Sequence, residues 1–410
     1  MTNQSSATFS EYAAQLRDFI QRHASPGASG AGQSPDYEFN ELALTLFALQ
    51  FAHNAPYRQH CQARKIIPQT IQNWRDIPAM PTAGFKEFEL TSLPMEQRTH
   101  VFHSSGTTEQ RPSRHFHSRE SLALYETSLR PWFAIHLLPA NERLPIAPSF
   151  SPTGREGARR ADEGDARVVQ NALTAASYPQ LLFLTPSPSE APHSSLVHMF
   201  ETLRRDFGST ASLFAGQVLA DGAWNLDLNK TLATLREAIA ANRPVLLLGT
   251  AFTFVHLLDH LRAANQRLEL PPGSRVLETG GYKGRSRTLP KAELHELITE
   301  QLDIPAPQIV CEYGMSELSS QAYDCIAGAA PNGERRFHFP PWARAQIISP
   351  ETGREASEGE IGLIRIFDLA NVYSVMAIQT EDLGIRRGGS FELLGRAALS
   401  EPRGCSLQSI

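Results

Sequence analysis

The sequence predicts an α/β fold in which a largely parallel sheet is covered by helices and followed by a smaller β-subdomain. Two observations carry this prediction. From about residue 180, apolar runs of strand length alternate with amphipathic helix patterns, which is typical of parallel sheets with crossover helices. The stretch 343–385 instead contains short β-rich runs broken by glycine, and these indicate a separate, smaller sheet.

Two helices open the predicted fold. Apolar residues recur at helical spacing from Phe9 to Ile20 and again from Phe39 to Phe47, as one face of a buried helix requires. The connector between them, 25–35, is rich in proline, glycine and serine, so we expect a mobile linker there. The stretch 154–165 is polar and has no apolar stripe, and we expect it to be an exposed loop.

The alternating region contains the strands and helices of the predicted parallel sheet. The strand candidates lie at 181–184, 245–248, 275–277 and 309–310, and the helix candidates at 196–203, 232–239, 254–261 and 289–302. We therefore expect three units in the chain. They are an N-terminal helix and linker at 1–36, a main domain at 37–397 with its β-subdomain at about 343–397, and a short tail at 398–410.

Bulk composition excludes several classes of function. The chain has 410 residues, a formal charge of -5 and a pI near 6.3, so it has no basic field and nucleic acid is not expected as a partner. No run approaches the roughly 20 apolar residues of a membrane span. The first residues have neither a basic nor an apolar stretch, so we do not expect a signal peptide. The four cysteines form no CxxC pair, which favours reduced thiols in a cytoplasmic protein.

A hydroxyl-rich loop is the first motif that can carry chemistry. Its residues are Ser104, Ser105, Gly106, Thr107 and Thr108. Consecutive hydroxyls around a glycine provide backbone N–H and side-chain O–H groups that can all point at phosphate oxygens. The motif is not a Walker A loop, because the chain contains no GxxxxGK[ST] sequence. Taken alone, it is equally consistent with a small polar turn.

The second motif follows the apolar run at 309–311 and contains Tyr313, Gly314, Ser316 and Glu317. Open α/β sheets bind ligands at the carboxyl ends of their parallel strands. At such a place an aromatic ring can stack on a base, a hydroxyl can reach a phosphate, and a carboxylate can hold Mg²⁺. The alternative is a strand that ends in a glycine turn, with Tyr313 as a core residue.

The third motif is the stretch 380–384, which contains Asp382, together with the Gly-Arg pair that ends at Arg396. A carboxylate at a turn can accept hydrogen bonds from both ribose hydroxyls, and a nearby arginine can neutralise phosphate. The alternative is a surface turn of the common Asp-Gly kind.

In combination, the three motifs resemble the adenylate-forming enzymes, the superfamily of acyl-CoA ligases, luciferases and peptide-synthetase adenylation domains. The resemblance runs from about residue 80 to the end, and it implies their N-terminal-domain fold and an acyl-adenylating domain at 37–397. It also implies site roles, residue by residue. Ser104 to Thr108 would form the phosphate loop, and Gly280, Gly281 and Tyr313, beside Gly314, would flank adenine. Ser316 and Glu317 would contact phosphate and Mg²⁺. Asp382 would bind the ribose, and Arg396 would lie at the hinge.

Four further segments resemble the LuxE-type acyl-protein synthetases, which supply fatty acyl groups to an acyl reductase. They are 85–86, 249–252, 278–284 and 403–406. This resemblance implies an ATP- and Mg²⁺-dependent ligase that activates a fatty or other hydrophobic acid as acyl-AMP and transfers the acyl group to a protein thiol. Its partner would be an acyl reductase or acyl carrier protein. The alternatives are an aryl- or acyl-CoA ligase of the phenylacetate-CoA ligase kind and a non-catalytic subunit of an acyl-reductase complex.

The C-terminal tail predicts how the acyl group is carried. Only 14 residues follow Arg396, too few for the lysine-bearing second domain of ordinary adenylate-forming enzymes, so we expect that domain to be absent. The resemblance to LuxE-type enzymes implies that the Cys405 thiol attacks the acyl-adenylate, although an incidental cysteine is the alternative. Lys283, or else Lys86, is the candidate to stabilise charge on the α-phosphate.

We expect the remaining cysteines and the histidines of one predicted strand to have structural roles rather than catalytic ones. Cys61, Cys311 and Cys325 are expected to be packing residues. His115 and His117 share one face of a strand, and we expect a polar strand face there because no third ligand lies at metal-site spacing.

Overall fold

The structure is a computed structural model of the chain, and it describes residues 8–24, 34–104, 111–139, 179–220, 222–280, 289–329 and 335–397. The α-helices in these ranges are α1 Phe9–His23, α2 Pro35–His53, α3 Ala55–Ala63, α4 Gly84–Glu87, α5 Arg119–Leu137, α6 Ser195–Phe207, α7 Leu228–Ala240, α8 Ala251–Ala263 and α9 Lys291–Leu302. Short 3-10 helices lie at Pro68–Thr70, Trp74–Asp76, Met95–Gln97 and Ala306–Gln308.

The strands of the same ranges fall into two large sheets and two hairpins. They are β1 Met80–Pro81, β2 His100–His103, β3 Arg114–His117, β4 Gln180–Phe183, β5 Leu213–Phe214, β6 Gly216–Val218, β7 Trp224–Leu226, β8 Val245–Thr250, β9 Arg275–Thr279, β10 Ile309–Tyr313, β11 Ala322–Tyr323, β12 Ala343–Ile348, β13 Ile361–Asp368, β14 Ala377–Arg387 and β15 Ser390–Arg396.

The central sheet confirms the predicted α/β class. Its described strands lie in the order β11-β10-β9-β8-β4-β5. The neighbours from β5 to β10 run parallel, and β11 joins β10 in the antiparallel direction. Each apolar run that we predicted as a strand lies within or at one end of β4, β8, β9 or β10. Since a strand buried on both faces needs apolar residues throughout, these runs are continuous rather than alternating.

Both faces of the central sheet are covered by helices. Successive side chains of a strand point to opposite faces, so Leu247 of β8 packs in an apolar cluster with α7, α8 and α9. Its neighbour Leu248 packs in a different cluster, which holds residues of α5 and α6. The predicted alternation of strands and helices therefore corresponds to a three-layer arrangement.

The second large sheet is formed by β12 to β15 and β1. The strands β12, β13, β14 and β15 are paired antiparallel in sequence order, and β1 joins β14 in the parallel direction. This sheet occupies the region for which the sequence predicts a β-subdomain. Its inner face packs in one apolar cluster with α1 and α2, which contribute Tyr12 and Phe47 among others.

The first helices are fixed by local signals as well as by packing. The side chain of Thr8 accepts a hydrogen bond from the Glu11 N–H at the start of α1, and Glu11 bonds back to the Thr8 N–H, so the two residues form a capping box. The division of the chain at residue 36 stays a prediction. Most of the predicted linker and all of the predicted loop at 154–165 lie outside the described residues. Across the described residues, no helix combines the length and the apolar character that crossing a bilayer requires.

Candidate active site

The candidate site lies where the parallel strands β9 and β10 end. Thr279 and Glu312 are register partners on these strands, and the Thr279 hydroxyl donates to the Glu312 carboxylate. Gly280 follows β9 and is exposed, and an added Cβ would meet no atom within 4 Å. Gly314 follows β10, where an added Cβ would collide with the Glu312 carboxylate. A side chain at 314 would thus have to displace the Glu312 carboxylate, whereas open space adjoins Gly280.

Tyr313 links the central sheet to Asp382 on the second sheet. The Tyr313 hydroxyl donates to Asp382 Oδ2 over 2.9 Å. The Tyr313 ring is buried and contacts three other rings, those of Phe337, Phe339 and Phe391. Since most of the ring surface is covered by protein, the clear role of Tyr313 here is to orient the Asp382 carboxylate, and its position beside adenine stays a prediction.

Asp382 lies inside strand β14, so our expectation that it sits at a turn is wrong. It pairs across the ladder with Arg396 of β15, and the ladder shifts register between Leu383 and Gly384. Such an irregularity re-aims the side chains beside it. The Arg396 Nε lies 3.7 Å from Asp382 Oδ1, and the Arg396 side chain is 81% exposed. Burial raises the pKa of Asp382, while the Tyr313 hydroxyl and Arg396 oppose that rise.

Ser316 and Glu317 lie together on the segment that follows β10. The Ser316 hydroxyl donates to Glu317 Oε2 over 2.9 Å, and both residues are buried. The Ser113 hydroxyl lies 3.4 Å from that of Ser316. The Ser113 N–H in turn donates to the Ser104 hydroxyl over 2.9 Å. The two flanks of the hydroxyl-rich loop are thus held beside the segment that carries Glu317.

His115 anchors the same segment from strand β3. Its Nδ1 donates to the Ser316 carbonyl over 2.8 Å, and burial lowers its pKa to about 4. His117 is also buried, and its Nδ1 lies 3.1 Å from the hydroxyl of Ser121 on α5. The two histidines therefore share one polar face of β3, as predicted, and the structure adds that this face is buried against Ser316 and α5. A neutral imidazole can be buried in this way when it finds hydrogen-bond partners.

Asp368 and Asn371 hold the segment that follows β10, and neither residue was predicted from the sequence. Asp368 accepts hydrogen bonds from the Ser319 and Ala370 N–H groups and from the Ser320 hydroxyl. The Asn371 side chain donates to the Glu317 carbonyl over 2.8 Å. These residues belong to no recognisable motif. Their only signal was that two polar residues, one at the end of β13 and one three positions later, interrupt an apolar stretch.

The remaining predicted site residues lie outside the described residues. They are Ser105, Gly106, Thr107, Thr108, Gly281, Lys283 and Cys405. The structure therefore brings together Ser104, Tyr313, Ser316, Glu317, Asp382 and Arg396, with Gly280 at the neighbouring strand end. The carboxylate of Glu317 and the hydroxyls of Ser113 and Ser316 form an oxygen-rich donor set, which is the kind that Mg²⁺ prefers.

The buried histidines of this region predict acid sensitivity. Burial lowers the pKa of His198 on α6 to about 4, against the ordinary value of 6.5 in the unfolded chain. As the pH falls below about 6.5, the unfolded chain binds a proton that the folded chain does not, so stability decreases. We expect His198→Gln to remove about 2 kcal/mol of the stability difference between about pH 7.5 and 5, as measured by urea unfolding.

The control for this prediction is His260→Gln, because His260 is an exposed histidine at the end of α8. This variant keeps His198 and should therefore still show the loss of stability that His198 causes between about pH 7.5 and 5. An equal pH dependence in wild type and the His198 variant would show that His198 is protonated in the folded state without cost.

Comparison with known proteins decides the family. The model of a family described as acyl-protein synthetase, LuxE, matches residues 157–409. The chain belongs to this LuxE family. The LuxE match contains the segments around Gly280, Tyr313, Asp382 and Cys405, whereas the hydroxyl-rich loop precedes it. The resemblance stated from the motifs is confirmed, and with it the expected enzyme class, a ligase.

Two curated relatives support membership of the LuxE family. A long-chain-fatty-acid–luciferin-component ligase of Vibrio harveyi is 20% identical over 377 residues, which are 90% of this chain and 86% of that protein. A protein of the same name from Aliivibrio fischeri is 29% identical over 196 residues, which are 44% of this chain and 49% of that protein.

Solved structures of adenylate-forming ligases share the fold. A 2-hydroxyisobutyryl-CoA ligase in complex with 2-HIB-AMP and CoA superposes with a TM-score of 0.55 and 14% identity. The superposition covers 92% of this chain and 77% of that one. At this identity the likeness concerns the fold alone, and it agrees with the adenylate-forming N-terminal-domain fold that the motifs imply.

Proposed function

We propose that this member of the LuxE family uses ATP and Mg²⁺ to convert a fatty acid into an acyl-adenylate and then transfers the acyl group to a protein thiol. One observation carries the proposal. The Ser316-Glu317 segment, the flanks of the hydroxyl-rich loop and the Tyr313-Asp382 pair converge at the carboxyl ends of β9 and β10, where open α/β sheets bind their ligands. The names of the curated relatives support a long-chain fatty acid as the substrate.

In the first step, an oxygen of the fatty-acid carboxylate attacks the α-phosphorus of ATP, and pyrophosphate leaves. Catalysis of this step depends mainly on positioning and charge stabilisation. Glu317 would hold Mg²⁺, and the ion, when bound, would neutralise phosphate charge. Asp382, oriented by the Tyr313 hydroxyl, would accept hydrogen bonds from the ribose hydroxyls, and residues 104–108 would contact the phosphates. Lys283 is the proposed cation for the α-phosphate.

In the second step, the Cys405 thiol loses its proton, its sulfur attacks the acyl carbonyl, and AMP leaves. The product is an acyl thioester on the enzyme, from which a partner reductase or carrier protein would take the acyl group. The LuxE family match extends to residue 409 and so includes Cys405. Cys61 and Cys311 are buried, so within the described residues they are poorly placed to carry an acyl chain.

Intact-mass spectrometry tests the second step. The full chain is incubated with ATP, Mg²⁺ and fatty acids of graded length, and wild type is compared with Cys405→Ser. We expect an ATP-dependent acyl adduct on wild type that hydroxylamine removes and that Cys405→Ser lacks. Cys325→Ser, which changes a partly buried cysteine, is the matched control and should retain the adduct.

A second measurement separates acyl activation from the choice of acceptor. Fatty-acid-dependent ATP–pyrophosphate exchange should occur in both wild type and Cys405→Ser, since adenylation precedes transfer. Exchange without an adduct would assign the acceptor to CoA or to a separate protein. The absence of exchange with every acid would contradict the proposal and favour a non-catalytic subunit.

A further inference from the structure

A buried triad of potential metal ligands lies beneath the candidate site. Glu278 on β9 and Cys311 on β10 are register partners in the parallel ladder, so their side chains point to the same face of the sheet. Helix α9 covers that face and contributes His295. One ligand atom from each of the three residues lies within 4.8 Å of the other two, and all three residues are buried.

The triad leaves a buried nitrogen without a partner. Among the described residues, His295 Nε2 makes no hydrogen bond, and it lies 3.9 Å from Glu278 Oε2. Between Glu278 and Cys311, the one polar contact is the hydrogen bond that the Cys311 thiol donates to Glu278 Oε2. Burying a polar atom without a partner costs free energy, and a bound cation would satisfy all three groups at once.

We propose that Glu278, His295 and Cys311 bind a divalent transition-metal ion, with Zn²⁺ as the best match to their chemistry. Thiolate, imidazole and carboxylate are the three ligand types that Zn²⁺ takes in proteins, and three protein ligands leave a fourth tetrahedral position for water. A cysteine ligand disfavours Mg²⁺ and Ca²⁺, which prefer oxygen. This site is distinct from the proposed Mg²⁺ ligand Glu317, and it goes beyond the proposed acyl-transfer function.

One cation near the triad, Lys291, interacts electrostatically with Cys311 and Glu278, and a carboxylate offsets its charge. Lys291, at the start of α9, is engaged by Asp324, with 2.6 Å between Nζ and Oδ2. Asp324 also accepts the Cys311 N–H over 2.7 Å, so it holds the backbone of one ligand in place. Such outer hydrogen bonds orient metal ligands.

A pocket beside α9 offers a route for the ion to reach the triad. Its volume is about 710 Å³, and His295 lines it together with Lys291, Glu296, Glu300 and Arg335. The two glutamates are matched by the two cations Lys291 and Arg335, so these four side chains leave the wall without a net charge. An entry path of this kind is one requirement for a metal site that must be loaded after folding.

Such an ion would stabilise the local structure of the candidate site. It would tie together the ends of β9 and β10, which lead directly into Gly280 and into the segment from Tyr313 to Glu317. Binding to the folded chain alone stabilises that chain by mass action. The ion would thus help fix the two strand ends that present the candidate site.

Cobalt substitution tests the proposal without reference to catalysis. The full chain is treated with chelator and titrated with Co²⁺ in the absence of ATP and Mg²⁺. We expect one equivalent to bind, with visible bands of tetrahedral Co²⁺ and a near-ultraviolet thiolate-to-cobalt band. Zn²⁺ should displace the Co²⁺ and raise the thermal midpoint of unfolding. His295→Gln should weaken binding by more than about 100-fold, beyond the effect of losing an outer hydrogen bond.

Matched variants locate the ion. Cys311→Ser should abolish the thiolate band, while His260→Gln and Glu317→Gln should keep both the band and the affinity, since they change an exposed histidine and the proposed Mg²⁺ ligand. Circular dichroism checks that each variant is folded, and if Cys311→Ser is not, Glu278→Gln replaces it. Failure of wild type to bind Co²⁺ and Zn²⁺, or binding that His295→Gln leaves unchanged, overturns the proposal. Neither result affects the acyl-transfer function, which the exchange measurement tests separately.

Discussion

Glu317→Gln is expected to lower fatty-acid-dependent ATP–pyrophosphate exchange by about 10²- to 10³-fold, the loss typical when one fixed electrostatic group is removed from a reacting site. The variant keeps the shape of the side chain but removes the negative charge that would hold Mg²⁺. The Ser316 hydroxyl donates to Glu317 Oε2, and glutamine can still accept that hydrogen bond through its amide oxygen. The fold around the segment should therefore persist while the charge effect is isolated.

The measurement is pyrophosphate exchange over a range of Mg²⁺ concentrations, with urea unfolding as a check on stability. Glu351→Gln is the matched control, because Glu351 is exposed and lies in a turn after β12. It should exchange at the wild-type rate. Wild-type exchange by the Glu317 variant at all Mg²⁺ concentrations would remove Glu317 from the proposed metal site and require another carboxylate.

The sequence contained enough information for the central sheet and for the order of its motifs. The runs at 181–184 and 245–248 are continuous in apolar residues because β4 and β8 are buried on both faces. The second motif follows β10 directly, so the rule that ligands bind at the carboxyl ends of parallel strands placed Tyr313 and Glu317 correctly relative to the sheet.

Contacts between distant segments could not be predicted in the same way. The Ser113 and Ser316 hydroxyls are 203 positions apart in sequence but 3.4 Å apart in space, and no local pattern records that pairing. The same holds for Asp382, where an Asp followed closely by Gly suggested a turn. Pairing of β14 with β13 and β15 overrides that local preference, as tertiary context often does.

The burial of polar residues could not be predicted from the sequence either. His115 and His117 alternate with Arg114 and Phe116, and from sequence this pattern indicates a polar strand face without showing whether that face is buried. In the fold, however, the histidines face the Ser316 carbonyl and the start of α5. The sequence shows residue types but not which neighbours form hydrogen bonds with them. Those hydrogen bonds offset the free-energy cost of burying an imidazole.

Asp368→Ala is expected to destabilise the chain by about 3–5 kcal/mol, because three buried donors would lose their acceptor at once. The Asp368 side chain is fully buried at the end of β13. It accepts the Ser319 N–H over 2.8 Å, the Ser320 hydroxyl over 2.7 Å and the Ala370 N–H over 3.0 Å. Alanine offers none of these acceptors, and water has little access to replace them.

Urea unfolding of wild type, Asp368→Ala and Asp368→Asn measures this effect. The asparagine variant keeps one acceptor oxygen and the volume of the side chain, so its loss should be intermediate, while the exposed Glu351→Ala should cause almost none. Equal unfolding of wild type and Asp368→Ala would mean that the segment 316–320 is held by other contacts. The expected order instead follows from the position of Asp368, which links the strand β13 to the residues that directly follow Glu317. Because the same carboxylate fixes both the fold and the path of this segment, stability and pyrophosphate exchange should decline together across the series.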